Sequence, residues 1–176
     1  MSGLMNGLRT HARAVLVLIA LACLASVGGA VFAQHQWGME PCPWCILQRV
    51  LYLAIALVAL LAAGMPSGGL GRLSAALSGV LMVLLALAAS AAALYQNLIA
   101  AKLPSCNMTL ADKIISGLGL DAWQPEVFEV RASCADAAVS LLGVPFELWS
   151  LALFVAVAVV AGCLIRAVFK AKTDLM

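Results

Sequence analysis

Charge is scarce in this chain: only 10% of its 176 residues are Asp, Glu, Lys or Arg, whereas 65% are hydrophobic. A soluble globular protein carries about 25% charged residues, so this composition excludes an ordinary soluble domain for most of the chain. The net charge of +2 is too small to indicate a surface that binds nucleic acid. The composition therefore indicates an integral membrane protein.

Apolar segments are abundant, and four of them suit membrane spans, each of which needs about 20 residues in a helix. The sequence predicts spans at about 14–33, 45–64, 73–95 and 147–166. The first also resembles a signal peptide, but its uncharged run is longer than the core of such a signal. We therefore expect an all-α membrane protein, a four-transmembrane-helix bundle that forms a single integral membrane domain over residues 1–176. Two outside loops are expected, at about 34–44 and 96–146.

Basic residues in the short loops predict the orientation, because Lys and Arg are retained on the cytoplasmic side. Six of them fall at the two termini or between spans two and three, namely Arg9, Arg13, Arg72, Arg166, Lys170 and Lys172. Four fall on the opposite side, namely Arg49, Lys102, Lys113 and Arg131. Both termini are therefore expected in the cytoplasm.

Four cysteines fall on the non-cytoplasmic side of this topology. Cys42 and Cys45 lie at the first outside loop, and Cys106 and Cys134 lie in the second. Because the charges predict the topology without reference to cysteine, this distribution independently indicates a compartment in which disulfides form and persist.

The most informative stretch is residues 40–49, Glu-Pro-Cys-Pro-Trp-Cys-Ile-Leu-Gln-Arg. Proline suits the first turn of a helix, so we expect a helix to begin near residues 43–44. That start places Cys45, with Cys42 as a second candidate, beside free backbone amides and the positive end of the helix dipole. Such a setting favours the thiolate, which is the reactive form. Arg49 follows Cys45 by one helical turn on the same face.

Three kinds of site could include these cysteines: a zinc site, structural disulfides and a redox site. Zinc is disfavoured, because Cys106 and Cys134 are 28 positions apart and form no second knuckle. Structural disulfides explain that pair, but a disulfide between Cys42 and Cys45 closes too small a loop to remove much chain entropy. Redox exchange between two dithiols accounts for all four. Arg49 would then polarise a quinone carbonyl, and snorkelling to lipid headgroups is its alternative role.

Residues 41–49 resemble the signature of the disulfide bond formation protein B (DsbB) family, which are bacterial inner-membrane quinone reductases. The resemblance covers nearly the whole chain. It includes four spans, a second outside loop with two cysteines, and the segment Trp-Gln-Pro-Glu-Val-Phe at residues 123–128.

The resemblance implies a role for each site residue. Cys106 and Cys134 would form the disulfide that faces a reduced, DsbA-like periplasmic thiol oxidase, which attacks Cys106. Electrons would pass to Cys42 and Cys45 and then to a membrane quinone, either ubiquinone or menaquinone. Cys45 would lie nearest the quinone, and Arg49 would help to bind it. The implied activity is that of a protein-disulfide oxidoreductase that sustains disulfide bond formation.

Some features depart from that pattern or lie outside it. Some relatives carry a histidine in a Tyr-x-His setting after span three, where this chain has Tyr95-Gln96-Asn97. Cys23 and Cys163 lie within spans, and we expect them to be small packing residues. Two alternative functions stay open, namely a membrane scaffold with structural disulfides and a quinone-coupled reductase of the vitamin K epoxide type.

Overall fold

The computed structural model of the chain describes residues 11–65, 69–102 and 108–173, and Arg9 and Cys106 lie outside these ranges. Among the described residues, four helices are long and apolar enough to cross a membrane, which confirms the predicted four-helix membrane fold. The long helices are α1 (Ala12–Trp37), α2 (Pro43–Gly64), α3 (Gly69–Leu98) and α7 (Phe146–Thr173). Between α3 and α7 lie a 3₁₀ turn (Ala100–Lys102), α4 (Leu110–Gly117), α5 (Leu120–Trp123), α6 (Pro125–Phe128), β1 (Ser140–Leu141) and β2 (Val144–Pro145).

The long helices pack in pairs around a core of aliphatic, small and aromatic residues. Helix α3 runs along α7, α1 runs along α2, and α2 also contacts α3. A Cβ atom added at Gly79 would lie 2.6 Å from Ile165 Cγ1, so glycine permits the close approach of α3 to α7. In the core, the rings of Tyr52 and Phe154 stack with their centroids 4.1 Å apart. Cys23 is fully buried in this core, as expected of a packing residue.

Helix α1 continues past the predicted end of the first span. The sequence placed the first outside loop from about residue 34, yet the helix ends at Trp37. Gly38 then adopts the left-handed conformation at φ 63°, and its N–H bonds to the Ala33 carbonyl. The polar side chain of Gln34 is buried against protein, whereas His35, Gln36 and Trp37 in the same turn are exposed. The connection to α2 is therefore a short one.

The second predicted outside loop folds back onto the first. Thr109 caps α4 through a reciprocal pair of hydrogen bonds with Asp112, which starts this helix firmly. Helix α4 then packs against α2. Farther along, the backbone N–H of Arg131 bonds to the Pro41 carbonyl at 3.0 Å. These contacts hold the two cysteine-bearing segments together.

Candidate redox site

The motif at residues 42–45 forms the first turn of α2. Cys42 is the N-cap and Pro43 is the first helical residue, so the predicted helix start is confirmed. The backbone N–H of Cys45 donates to Cys42 Sγ at 3.4 Å, and the two sulfurs are 3.1 Å apart. Because a disulfide bond measures about 2.05 Å, a small shift of either side chain joins them.

Cys42 contacts a thiol from the second outside segment as well. It is fully buried in a cluster that also contains Cys134 and Trp44. Its hydrogen bond with Cys134, then that with Cys45, then burial, raise the pKa of the Cys42 thiol. The expectation of a thiolate is therefore wrong for Cys42, because its hydrogen bonds and its dry surroundings favour the neutral thiol. Cys42 thus lies between the other two thiols, and Cys106 lies outside the described residues.

Two buried glutamines form a hydrogen-bonded chain that ends at Cys45. The side-chain N–H of Gln96 donates to Cys45 Sγ at 3.2 Å. Gln48 in turn donates from Nε2 to Oε1 of Gln96 at 2.8 Å. Both side chains are buried. Sequence reasoning did not identify either glutamine as a site residue, although Gln48 belongs to the motif and Gln96 to the triplet that departs from some relatives.

Arg49 is buried against protein groups. Its Nη1 donates to Gln34 Oε1 at 3.0 Å and to the Val127 carbonyl at 2.8 Å. The side chain is only 5% exposed. This is not the geometry of a side chain that snorkels to lipid headgroups, because both partners belong to the protein. Arg49 thereby ties α1 and α6 to the start of α2.

An ion-paired surface covers the outer side of Arg49. His35 Nε2 lies 2.8 Å from Glu126 Oε2, and Arg131 lies 3.8 Å from Glu126 and 3.1 Å from Glu129. Gln34 donates to the Glu126 carbonyl at 3.3 Å. These bonds hold α6 against the end of α1, although exposed ion pairs contribute little stability individually.

A cavity of about 390 Å³ opens beside Cys45. Cys45, Gln48, Arg49 and Gln96 contribute its polar wall. The rest of the lining is mainly apolar and aromatic, and includes Phe32, Trp37, Tyr52, Phe146, Trp149 and Leu153. A volume of this size holds a small ring compound. The chain thus presents one thiol of the motif, Cys45, to an apolar cavity that also contains hydrogen-bond donors.

Asn97, the last residue of the Tyr95-Gln96-Asn97 triplet, bonds to a residue in the wall of the same cavity. Its Nδ2 donates to Oε1 of Glu147 at 2.8 Å. Glu147 is buried and lines the cavity. Among the described residues, no Lys, Arg or His forms an ion pair with Glu147. The carboxyl group of Glu147 was not predicted as part of the site.

The family of the chain follows from a comparison of its sequence with known protein families. The family model described as disulfide bond formation protein DsbB matches residues 12–164, which include α1, α2, α3 and most of α7. The chain belongs to the DsbB family. Its four long helices and its cysteine-bearing outer segments agree with a membrane protein of that family.

Curated relatives match most of their own length. Disulfide bond formation protein B 1 of Pseudomonas savastanoi pv. phaseolicola is 38% identical over 153 residues, which are 86% of this chain and 88% of that protein. Disulfide bond formation protein B of Burkholderia pseudomallei is 36% identical over 169 residues, which are 94% of this chain and 96% of that protein. The chain is thus similar to these proteins over most of its length.

Proposed function

We propose that this DsbB-family protein oxidises a DsbA-like periplasmic dithiol oxidase and passes the electrons to a membrane quinone. The observation that carries the proposal is the position of Cys42. Its sulfur lies 3.1 Å from that of Cys45, and its side chain packs in one buried cluster with Cys134, so Cys42 lies between the two cysteine-bearing segments. Cys45 in turn lines the cavity beside Arg49.

The exchange begins at the outer pair, which the family resemblance implies to be a Cys106–Cys134 disulfide. A partner thiolate attacks Cys106 and displaces Cys134, and the partner's second thiol then displaces Cys106. The partner leaves in its disulfide form. Its two electrons remain on Cys106 and Cys134, and its two protons are taken up by these thiols or by solvent. Each step exchanges one sulfur–sulfur bond for another.

The outer pair then reduces the inner one. The Cys134 thiolate attacks Cys42, the Cys42–Cys45 bond breaks, and its electron pair remains on Cys45. Attack at Cys42 is favoured because a thiol with a raised pKa is the poorer leaving group of the two. Cys106 then displaces Cys42 from Cys134, which restores the outer disulfide and leaves Cys42 and Cys45 reduced.

The cavity has the composition that a quinone head group requires. Aromatic side chains would enclose a flat ring, and Arg49, Gln48 and Gln96 offer N–H donors to its oxygens. A bound ubiquinone or menaquinone would accept two electrons and two protons while the Cys42–Cys45 disulfide reforms. Arg49 suits the binding of a ring oxygen because its guanidinium is planar and always charged.

The same proposal assigns a location. We place the chain as a single membrane domain over residues 1–176 in the bacterial inner membrane, with both termini in the cytoplasm. The basic residues of the short loops support this orientation. The cysteine pairs then face the periplasm, where the soluble partner is found and where disulfides persist.

A turnover assay tests the function. Purified protein is mixed with a reduced thioredoxin-fold oxidase and a water-soluble quinone analogue, and partner thiols and quinone absorbance are followed together. The expected result is one quinone reduced for each partner dithiol oxidised, over many cycles. A scaffold with structural disulfides would oxidise at most one equivalent of partner and would reduce no quinone.

A further inference from the structure

We propose that Gln96 is a catalytic residue that stabilises the Cys45 thiolate, and that Gln48 is the positioning residue that orients it. The inference rests on the proposed function and adds two residues to its site. Its basis is the chain of contacts from Gln48 Nε2 to Gln96 Oε1, at 2.8 Å, and from Gln96 Nε2 to Cys45 Sγ, at 3.2 Å.

The orientation of the Gln96 amide decides what Cys45 meets. A glutamine side chain presents a donor at one end and an acceptor at the other. Gln48 donates to the oxygen of Gln96, so the NH₂ group of Gln96 faces the sulfur. Rotating the Gln96 amide by half a turn would bring two donors together and would place an oxygen lone pair against the sulfur. With Gln48 donating from its Nε2, the amide of Gln96 is paired at its oxygen and directs its NH₂ group to Cys45.

Gln48 and Cys45 belong to the same helix, α2, so the position of Gln48 relative to the sulfur is set by the helix. Gln48 follows Cys45 by three residues, so both lie on one face of the helix. Gln96 reaches the same point from the end of α3. Both glutamine side chains are buried, where an unpaired amide would be costly. A pair of glutamines with only a structural role would need hydrogen bonds only to each other. Here one N–H of Gln96 also donates to Cys45 Sγ, which is the reacting atom.

Charge develops on that atom during the reaction. When a sulfur bonds to Cys42, the Cys42–Cys45 bond breaks and its electron pair stays on Cys45. The Gln96 N–H then donates to an anion, and such charge-assisted hydrogen bonds are about twice as strong as neutral ones. No proton needs to reach Cys45 at this step. Gln96 thus stabilises Cys45 as the leaving group and, later, as the thiolate that faces the cavity.

The test measures the reactivity of Cys45 without a quinone or a partner. In a background in which Cys45 is the only cysteine, the alkylation rate by N-ethylmaleimide is followed against pH in detergent. Gln96→Leu removes the donor at similar size, and we expect alkylation near neutral pH to slow roughly tenfold. The difference should shrink at high pH, where the sulfur is ionised in every variant. Gln36→Leu, on the exposed end of α1, is the matched control and should alkylate as the parent does.

The role of Gln48 is tested by combination. Gln48→Leu should slow alkylation in the same direction but less, because Gln96 can then rotate. The Gln48→Leu/Gln96→Leu double variant should be no slower than Gln96→Leu alone, since residues that act through one contact are not additive. If Gln96→Leu accumulates poorly, Gln48→Leu still decides the matter. Unchanged alkylation in these variants, or equal slowing in Gln36→Leu, would overturn the inference.

A quinone assay with all cysteines present separates this inference from the proposed function. Gln96→Leu should reduce quinone turnover by a similar factor and should leave formation of the mixed disulfide at Cys106 unchanged. If the unmodified protein reduces no quinone, the proposed function fails, while the alkylation result still reports on Gln96. If turnover is normal and alkylation is unaffected by Gln96→Leu, only the inference fails.

Discussion

Asn97 donates a hydrogen bond of 2.8 Å from its Nδ2 to Oε1 of Glu147, and this bond joins the end of α3 to the start of α7. Glu147 is buried in the cavity wall, and Asn97 is the only hydrogen-bond partner of its carboxyl group among the described residues. The wall of the cavity therefore contains an amide–carboxyl pair at this point.

The first prediction follows from this pair. Asn97→Leu should lower the free energy of unfolding by about 1–3 kcal/mol, because it leaves the Glu147 carboxyl buried without a donor. Thermal unfolding in detergent measures the effect. The Asn97→Leu/Glu147→Leu double variant should recover most of the loss, since no polar group then remains unpaired. Equal unfolding temperatures for Asn97→Leu and the parent would contradict this account.

The second prediction concerns Cys42 and Cys134. With Cys45 and Cys106 both replaced by Ala, mild oxidation should join Cys42 to Cys134, because their thiols are already in contact. Peptide mass analysis under non-reducing conditions detects the product. The matched control replaces Cys42 and Cys106 and leaves Cys45 and Cys134, which should join more slowly. A faster reaction in the control would show that Cys45, and not Cys42, receives the attack.

The third prediction separates the half-reactions. Cys106→Ala should abolish the mixed disulfide with the soluble partner and leave the inner pair able to exchange electrons with quinone. Cys45→Ala should have the reverse effect. Trapping with the partner and single-turnover quinone reduction measure the two halves. Equal loss of both halves in each variant would indicate that the cysteines are structural.

The fourth prediction concerns orientation, and exposed positions at the two ends of the bundle are better reporters than the buried thiols of Cys42 and Cys134. Leu142, at the hairpin tip, is 87% exposed, and Met65, at the opposite end of the bundle, is 44% exposed. In a cysteine-free background, Leu142→Cys should react with an impermeant maleimide in intact spheroplasts. Met65→Cys should react only after the membrane is opened. The reverse pattern would place the termini outside.

The sequence predicted the four helices because each apolar run is long, and it predicted the start of α2 because Pro43 suits a first turn. It could not predict contacts between distant segments. Gln96 lies 51 positions from Cys45 and meets it only through the packing of α3 on α2. The raised pKa of the Cys42 thiol likewise depends on Cys134, which the fold of the second cysteine-bearing segment brings to it. Local sequence carries no signal for either contact.

The last prediction concerns Arg49, whose Nη1 holds Gln34 and Val127 and whose side chain lines the cavity. Arg49→Lys keeps the charge but loses the planar set of donors, so it cannot hold both partners and a ring oxygen together. We expect normal insertion and a higher KM for quinone. The loss of one charge-assisted hydrogen bond, about 1.5–3 kcal/mol, corresponds to a rise of roughly 10- to 150-fold.

Steady-state rates at fixed reduced partner and varied quinone measure that rise. Gln34→Leu is the control, because it removes one partner of Arg49 but leaves the guanidinium in the cavity wall, and its KM should rise less. If Arg49→Lys retained the KM and kcat of the parent with normal expression, a long cationic side chain would suffice at this position. Arg49 would then serve only to tie α1 and α6 to α2, and a quinone oxygen would bind to other donors of the cavity lining, among them Gln48 and Gln96.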